Sequence, residues 1–164
     1  MTREIVERAI ETLDGVIQIA RHEQLRQGTY LTGKVVNHKL AKEGAICGGH
    51  QACFIGSLWL GAGVKMRQDR RGDSYLPKTD QNKRRYAWLS RPHLKLALDA
   101  ADRAAEQYAE RHQLTIPGRY SSSAEALFER GLRGATPEEI RDHVIRVCNN
   151  AKRQLRREHA EVLA

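Results

Sequence analysis

Gly44-Ala45-Ile46-Cys47-Gly48-Gly49-His50-Gln51-Ala52-Cys53-Phe54-Ile55-Gly56-Ser57-Leu58-Trp59-Leu60-Gly61-Ala62-Gly63 is the stretch on which the fold turns. It holds two of the three cysteines, one of the two tryptophans and one of the two phenylalanines, with glycine throughout. Residues 50–63 read as a helix that is apolar nearly all round from Ala52 to Leu60, as a helix at the centre of a bundle is. Ala52, Cys53, Ile55, Gly56, Leu58, Trp59 and Leu60 are expected to be buried. Gly56 would let another helix approach, and Gly61-Ala62-Gly63 ends the segment.

Helical patterns flank this stretch. Over 3–26, Ile5, Ala9, Ile10, Leu13, Val16, Ile17 and Ala20 fall at three- and four-residue steps and so share one face. Thr2 can cap the start, and Gly15 weakens the interior without breaking the pattern. Ser90-Arg91-Pro92 opens a helix whose face carries Leu94, Ala97, Leu98, Ala101, Ala104 and Ala105, with Ser90 read as the cap. Ser122 with Glu125 reads as a capping box for a short helix to Arg130. Thr136-Pro137-Glu138-Glu139 is the strongest helix start in the chain, followed by the stripe Ile140, Val144, Val147, Cys148, Ala151 and Leu155.

Residues 29–46 lack helical period, and Thr29-Tyr30-Leu31 and Lys34-Val35-Val36 around Thr32-Gly33 would make one short hairpin between 29 and 40. The expected architecture is mainly α: a single domain, 1–164, of five or six helices around the buried 50–63 helix. Low aromatic content, 5%, and abundant alanine and leucine agree with helices rather than sheets.

Composition narrows the function classes. The formal net charge is +8, which favours anionic partners such as nucleic acid or an acidic protein. Three cysteines make no disulfide scaffold. The N-terminus opens amphipathic rather than apolar, and no apolar run reaches the length of a membrane span. A cytoplasmic protein with no membrane partner is expected. No oligomeric state follows from the pattern.

The charge is concentrated in two places. The stretch 65–85 has eight basic residues against three acidic ones, with few apolar residues, and reads as a long loop without structure of its own. Lys65, Arg67, Arg70, Arg71, Lys83, Arg84 and Arg85 would contact phosphates, and Tyr75 offers a ring for stacking. Arg153, Arg156 and Arg157 lie on the polar side of the last helix and form the second candidate surface. Residues 122–147 can be drawn as helix-turn-helix, but Glu138 and Glu139 would then face the nucleic acid, which argues against a recognition helix.

Enzyme chemistry finds less support. Cys47, His50 and Cys53 have Cys-x2-His-x2-Cys spacing, short enough for a turn to wrap zinc, with His38, His93 or Cys148 as a fourth ligand. Zinc sites more often show two such knuckles, and two ordinary buried cysteines are the simpler reading. Cys53 near a helix N-terminus would have a lowered thiol pKa and could act as a nucleophile. The carboxylates read as solvated surface, with pairs such as Asp99 with Arg103, and no glycine-rich phosphate loop is present. No cofactor and no catalytic residue are expected. The first expectation is a non-enzymatic binding protein. The alternative is a small zinc metalloprotein or cysteine-dependent enzyme using Cys47, His50 and Cys53.

Cys53-Phe54-Ile55-Gly56-Ser57-Leu58, followed by Leu60-Gly61-Ala62-Gly63, resembles the Cys-x-x-Gly-Ala/Ser-Leu hallmark of a group of small helical proteins of actinobacteria and their phages. The order of the preceding helix, the short extended segment and the later helix of the 92–112 type is similar over about the first two thirds of the chain. The glycine-rich lead-in at Cys47 to Gly49 and the basic stretch depart from that pattern. The resemblance implies a phage-type origin, with the host cytoplasm as location, and carries no activity. The expectation it adds is an accessory or host-modulating factor.

Overall fold

The computed structural model describes residues 1–22, 25, 27, 31–32, 51–64, 66–68, 75–77, 91–118 and 122–164. The protein is mainly helical. Its elements in chain order are α1 (Arg3–Arg21), β1 (Leu31–Thr32), β2 (Gln51–Ala52), α2 (Phe54–Gly61), β3 (Met66–Gln68), β4 (Tyr75–Pro77), α3 (Pro92–Arg111), α4 (Ser123–Ala126), a π-helical turn (Leu127–Gly131), α5 (Pro137–Glu158) and α6 (Ala160–Leu163).

The amphipathic patterns place the long helices correctly. α1 buries Val6, Ala9, Leu13, Val16, Ile17 and Ala20 and ends at Arg21, five residues before its sequence pattern does. α3 buries mostly alanine, which lets its backbone lie close to its neighbours. α5 buries Val144, Val147, Cys148, Ala151 and Leu155. One apolar cluster runs from Ala9 to Leu155 and joins all of these faces.

α1 is the hub: it packs on α2, α3 and α5, and α3 in turn packs on α4 and α5. The apolar segment read as 50–63 is shorter. Gln51–Ala52 is extended, Cys53 is the N-cap, and the helix covers only Phe54–Gly61. Its residues are buried as expected, except that Ile55 is half-buried. It docks chiefly on α1, and there Gly61 permits a close approach. A Cβ there would lie 2.5 Å from the carbonyl oxygen of Thr12, and one on Gly15 would lie 2.6 Å from the Cα of Gly61.

Two strand pairs form among the described residues. β1 pairs antiparallel with β2, so the extended segment closes onto the entrance of α2; the expected hairpin partner, 34–36, lies outside the described residues. β3 pairs antiparallel with β4, so the stretch 65–85 contains a two-stranded ribbon where a structureless loop is expected.

Three of the expected caps form. Thr2 accepts from the Ile5 N–H, and Ser122 from the Glu125 N–H. At α5 the box is complete: Thr136 accepts from the Glu139 N–H at 3.2 Å, and Glu139 accepts from the Thr136 N–H at 2.7 Å. Thr136→Ala should cost about 1 kcal/mol and lower the melting temperature by about 2–4 °C. Thermal denaturation checks this, and an unchanged midpoint would mean the cap contributes nothing. The N-cap of α3 is Arg91, without a side-chain bond; Ser90 lies outside the described residues.

Candidate functional site

The exposed side of α5 is one candidate surface among the described residues. Arg146, Asn149, Asn150, Lys152, Arg153 and Arg156 line one open groove of about 540 Å³. Asp142 and Ile145 close its N-terminal end. The 3.6-residue period explains the alignment: α5 turns its apolar stripe to α1 and α3, so the residues between the stripe positions face outward together. Three of the four acidic residues of α5, Glu138, Glu139 and Asp142, stand in its first turns, where the helix dipole favours them, and apart from the terminal Glu158 the C-terminal half is basic.

The groups in this groove are held to different degrees. Lys152 is ion-paired to Asp14 on α1 and is mostly buried. The Arg146 guanidinium sits 6.0 Å above the Tyr108 ring. Arg153 is hydrogen-bonded to Asn150. Arg156 and Arg157 are exposed and make no ion pair among the described residues. Arg157 stands one turn beyond Arg153 and extends the positive surface. Arginine forks backed by two asparagine amides suit an oxyanion-rich ligand: the guanidinium donates two parallel hydrogen bonds and the amides supply further donors.

The other basic candidate is only partly in view. Arg67 and Tyr75 stand on the paired ribbon, in register with Leu76 and Gln68 respectively. Lys65, Arg70, Arg71, Lys83, Arg84 and Arg85 lie outside the described residues.

Cys53 is placed as expected but behaves otherwise. It is the N-cap of α2, and its Sγ accepts from the Gly56 N–H at 3.4 Å. The thiol is 1% exposed. Burial pushes its pKa well up, and the nearby Glu125 and Glu129 carboxylates add to the shift. These effects outweigh the favourable N-terminal position, so the thiol stays protonated and is a poor nucleophile. Cys47 and His50, its expected partners in zinc binding, lie outside the described residues. Cys148 is fully buried in the core, and its thiol is likewise pushed up by burial. His143 packs edge-on against Tyr108, and burial lowers its pKa to about 4.

Two carboxylates depart from the solvated surface that their spacing suggests. Glu125 does not complete the box with Ser122. Its Oε2 instead accepts from the Ile55 N–H at 3.0 Å and so caps α2, a helix far away in sequence. Glu125 is 8% exposed, and burial raises its pKa to about 7. Asp102 accepts from the Ser122 hydroxyl at 2.6 Å and from the Ala124 N–H at 2.9 Å, fixing α4 on α3. Burial holds its carboxyl above the usual range despite those bonds. Asp99 pairs with Lys95, and Arg103 with Glu158, rather than with each other. No helix of the described residues is long and apolar enough to cross a membrane. Comparison with family models, with curated proteins and with solved structures finds no match.

Proposed function

We propose that the protein is a non-enzymatic binding protein, a phage-type accessory or host-modulating factor, whose α5 face docks the phosphate backbone of a nucleic acid. The observation that carries this reading is the groove along α5. It places three arginines and a lysine beside two asparagines, with one carboxylate at its end. Duplex and single strands alike are dense lines of negative charge, and arginine heads on one helix face can neutralise several phosphates at once. The acidic first turn of α5 favours backbone contact over base reading, since bases would be read by the end of the helix that carries Glu138 and Glu139. Residues 65–85 would add charge to the same partner. The buried, protonated thiol of Cys53 speaks against the cysteine-enzyme alternative.

Binding should fall with salt, with a log–log slope of about −0.7 to −0.9 per phosphate neutralised. The variant Arg153→Ala, Arg156→Ala, Arg157→Ala should weaken binding at least about tenfold and flatten that slope by about one unit per arginine engaged. Its melting temperature should stay close to wild type, because these heads are exposed. Mobility shifts with mixed DNA and RNA, run from low to moderate salt with chelator present, test this. No shift at micromolar protein, or equal shifts for wild type and the triple variant, would overturn the reading. A host protein retained after nuclease treatment, and lost in the triple variant, would assign the face to an acidic protein instead.

A further inference from the structure

Away from α5, three metal-ligating side chains converge. Cys53 Sγ, a carboxylate oxygen of Glu125 and a carboxylate oxygen of Glu129 all lie within 4.8 Å of one another. They come from separate parts of the chain: the N-cap of α2, the short helix α4, and the π-helical turn that follows it. Two of the three residues are buried and the third is half-buried.

A carboxylate taken out of water needs partners that offset its lost hydration. Glu125 has the Ile55 N–H and the Cys53 thiol, which donates to it. Two backbone donors reach these side chains: the Ile55 N–H points at Glu125 and the Gly56 N–H at Cys53, both from the positive end of α2. Glu129 also stands on a π-helical turn, a rare geometry that recurs where side chains must be aimed at a site. The Phe128 carbonyl in that turn is taken by the Gln27 amide at 2.6 Å, which holds the wider turn in place.

We propose that Cys53, Glu125 and Glu129 form a zinc site, with water as the fourth ligand. One thiolate with two carboxylates suits a borderline-soft cation and disfavours calcium or magnesium, which take oxygen alone. Ligands around tetrahedral zinc stand about 3.5 Å apart, so side-chain rotation from the present positions closes the shell. The donors differ from the Cys47, His50 and Cys53 set that spacing alone suggests. Zinc here would tie the start of α2 to the α4 region. A thiol must lose its proton to bind zinc, so affinity rises with pH. The site stands independently of the α5 face.

The test uses the full chain, stripped with chelator and titrated with zinc alone and, in parallel, with cobalt(II). The expected result is one zinc per chain and a higher melting temperature, since a ligand bound only by the folded state stabilises it. Cobalt should give a thiolate-to-metal charge-transfer band that Cys53→Ser abolishes. Glu129→Gln alters a half-buried residue and keeps its size, so a folded chain is expected by circular dichroism. It should still weaken zinc at least about tenfold. No stoichiometric zinc, or zinc held as tightly by Glu129→Gln or by Cys53→Ser as by wild type, would overturn the site. Because mobility shifts are run with chelator, loss of the metal site and loss of nucleic-acid binding are separate outcomes.

Discussion

Gly61→Ala should unfold at a markedly lower temperature than wild type, by about 6–12 °C for a cost of about 3 kcal/mol. The added methyl would meet the Thr12 carbonyl oxygen at 2.5 Å, and that oxygen belongs to the backbone of α1. No rotamer change relieves such a contact; α1 and α2 must separate, which opens the core where they cross. Gly15→Ala makes the sharper case. Alanine in a helix interior ordinarily gains about 1 kcal/mol over glycine. Here the methyl would stand 2.6 Å from the Cα of Gly61, so the sign should reverse and the variant should be destabilised. Gly118→Ala is the control, since a Cβ there meets nothing within 4 Å. It should melt at or slightly above the wild-type temperature. If Gly15→Ala raises the midpoint, helix propensity has won and the two backbones do not touch as described.

The same crossing illustrates which features a sequence exposes. Periodic apolar residues announce α1, α3 and α5, because a helix that buries one face must repeat apolar side chains at 3.6 residues whatever its partner is. Caps are equally visible, since Thr2, Ser122 and Thr136 act on N–H groups three positions away. A glycine's partner is not visible. Gly15 looks like a local weakness in α1, and only its distance to Gly61 shows that it is the gap into which another backbone fits. The strand pairs were hidden for a related reason. β1 and β2 have two residues each, too few to show alternation, and nineteen or more positions separate the paired residues. Charge masked the β3–β4 ribbon.

The candidate sites divide along the same line. Arg153, Arg156 and Arg157 were legible because a helix pattern assigns every position a face, and theirs is the outer one. Arg146, Asn149 and Asn150 join Arg153 and Arg156 in the groove by the same period. Glu125 and Glu129 were not legible as donors. Glu125 stands three residues after Ser122, so a local capping box already accounts for it, and nothing in its neighbourhood points to Ile55 seventy positions earlier. Cys53 was placed correctly at a helix start. Its raised pKa comes first from burial and then from the Glu125 and Glu129 carboxylates of that distant segment.

Stability should be nearly flat between about pH 4.5 and 6.5, because two buried groups oppose each other there. Glu125 has its pKa raised from 4.5 to about 7 by burial. The folded state therefore holds more protons than the unfolded one in that window, and stability present below pH 4.5 is lost as pH rises towards 7. His143 has its pKa lowered from 6.5 to about 4, again by burial, with Arg146 and His112 adding repulsion. Its contribution is present above pH 6.5 and is lost as pH falls through about 4. Each shift corresponds to something on the order of 3 kcal/mol, so neither slope dominates in the wild type. Asp102, raised in the same direction as Glu125, adds to the falling slope at the acid end. Variants separate the two groups. Glu125→Gln keeps an oxygen to accept from Ile55 and cannot titrate, so its stability should climb with pH from about 4 to 6.5. His143→Phe keeps an aromatic edge against Tyr108 and should instead lose stability from about pH 4.5 to 7. Denaturant unfolding at constant ionic strength, with chelator present so that no metal replaces the Glu125 proton, reads both slopes. A Glu125→Gln profile as flat as wild type would mean that this carboxylate is ionised and solvated in the folded protein.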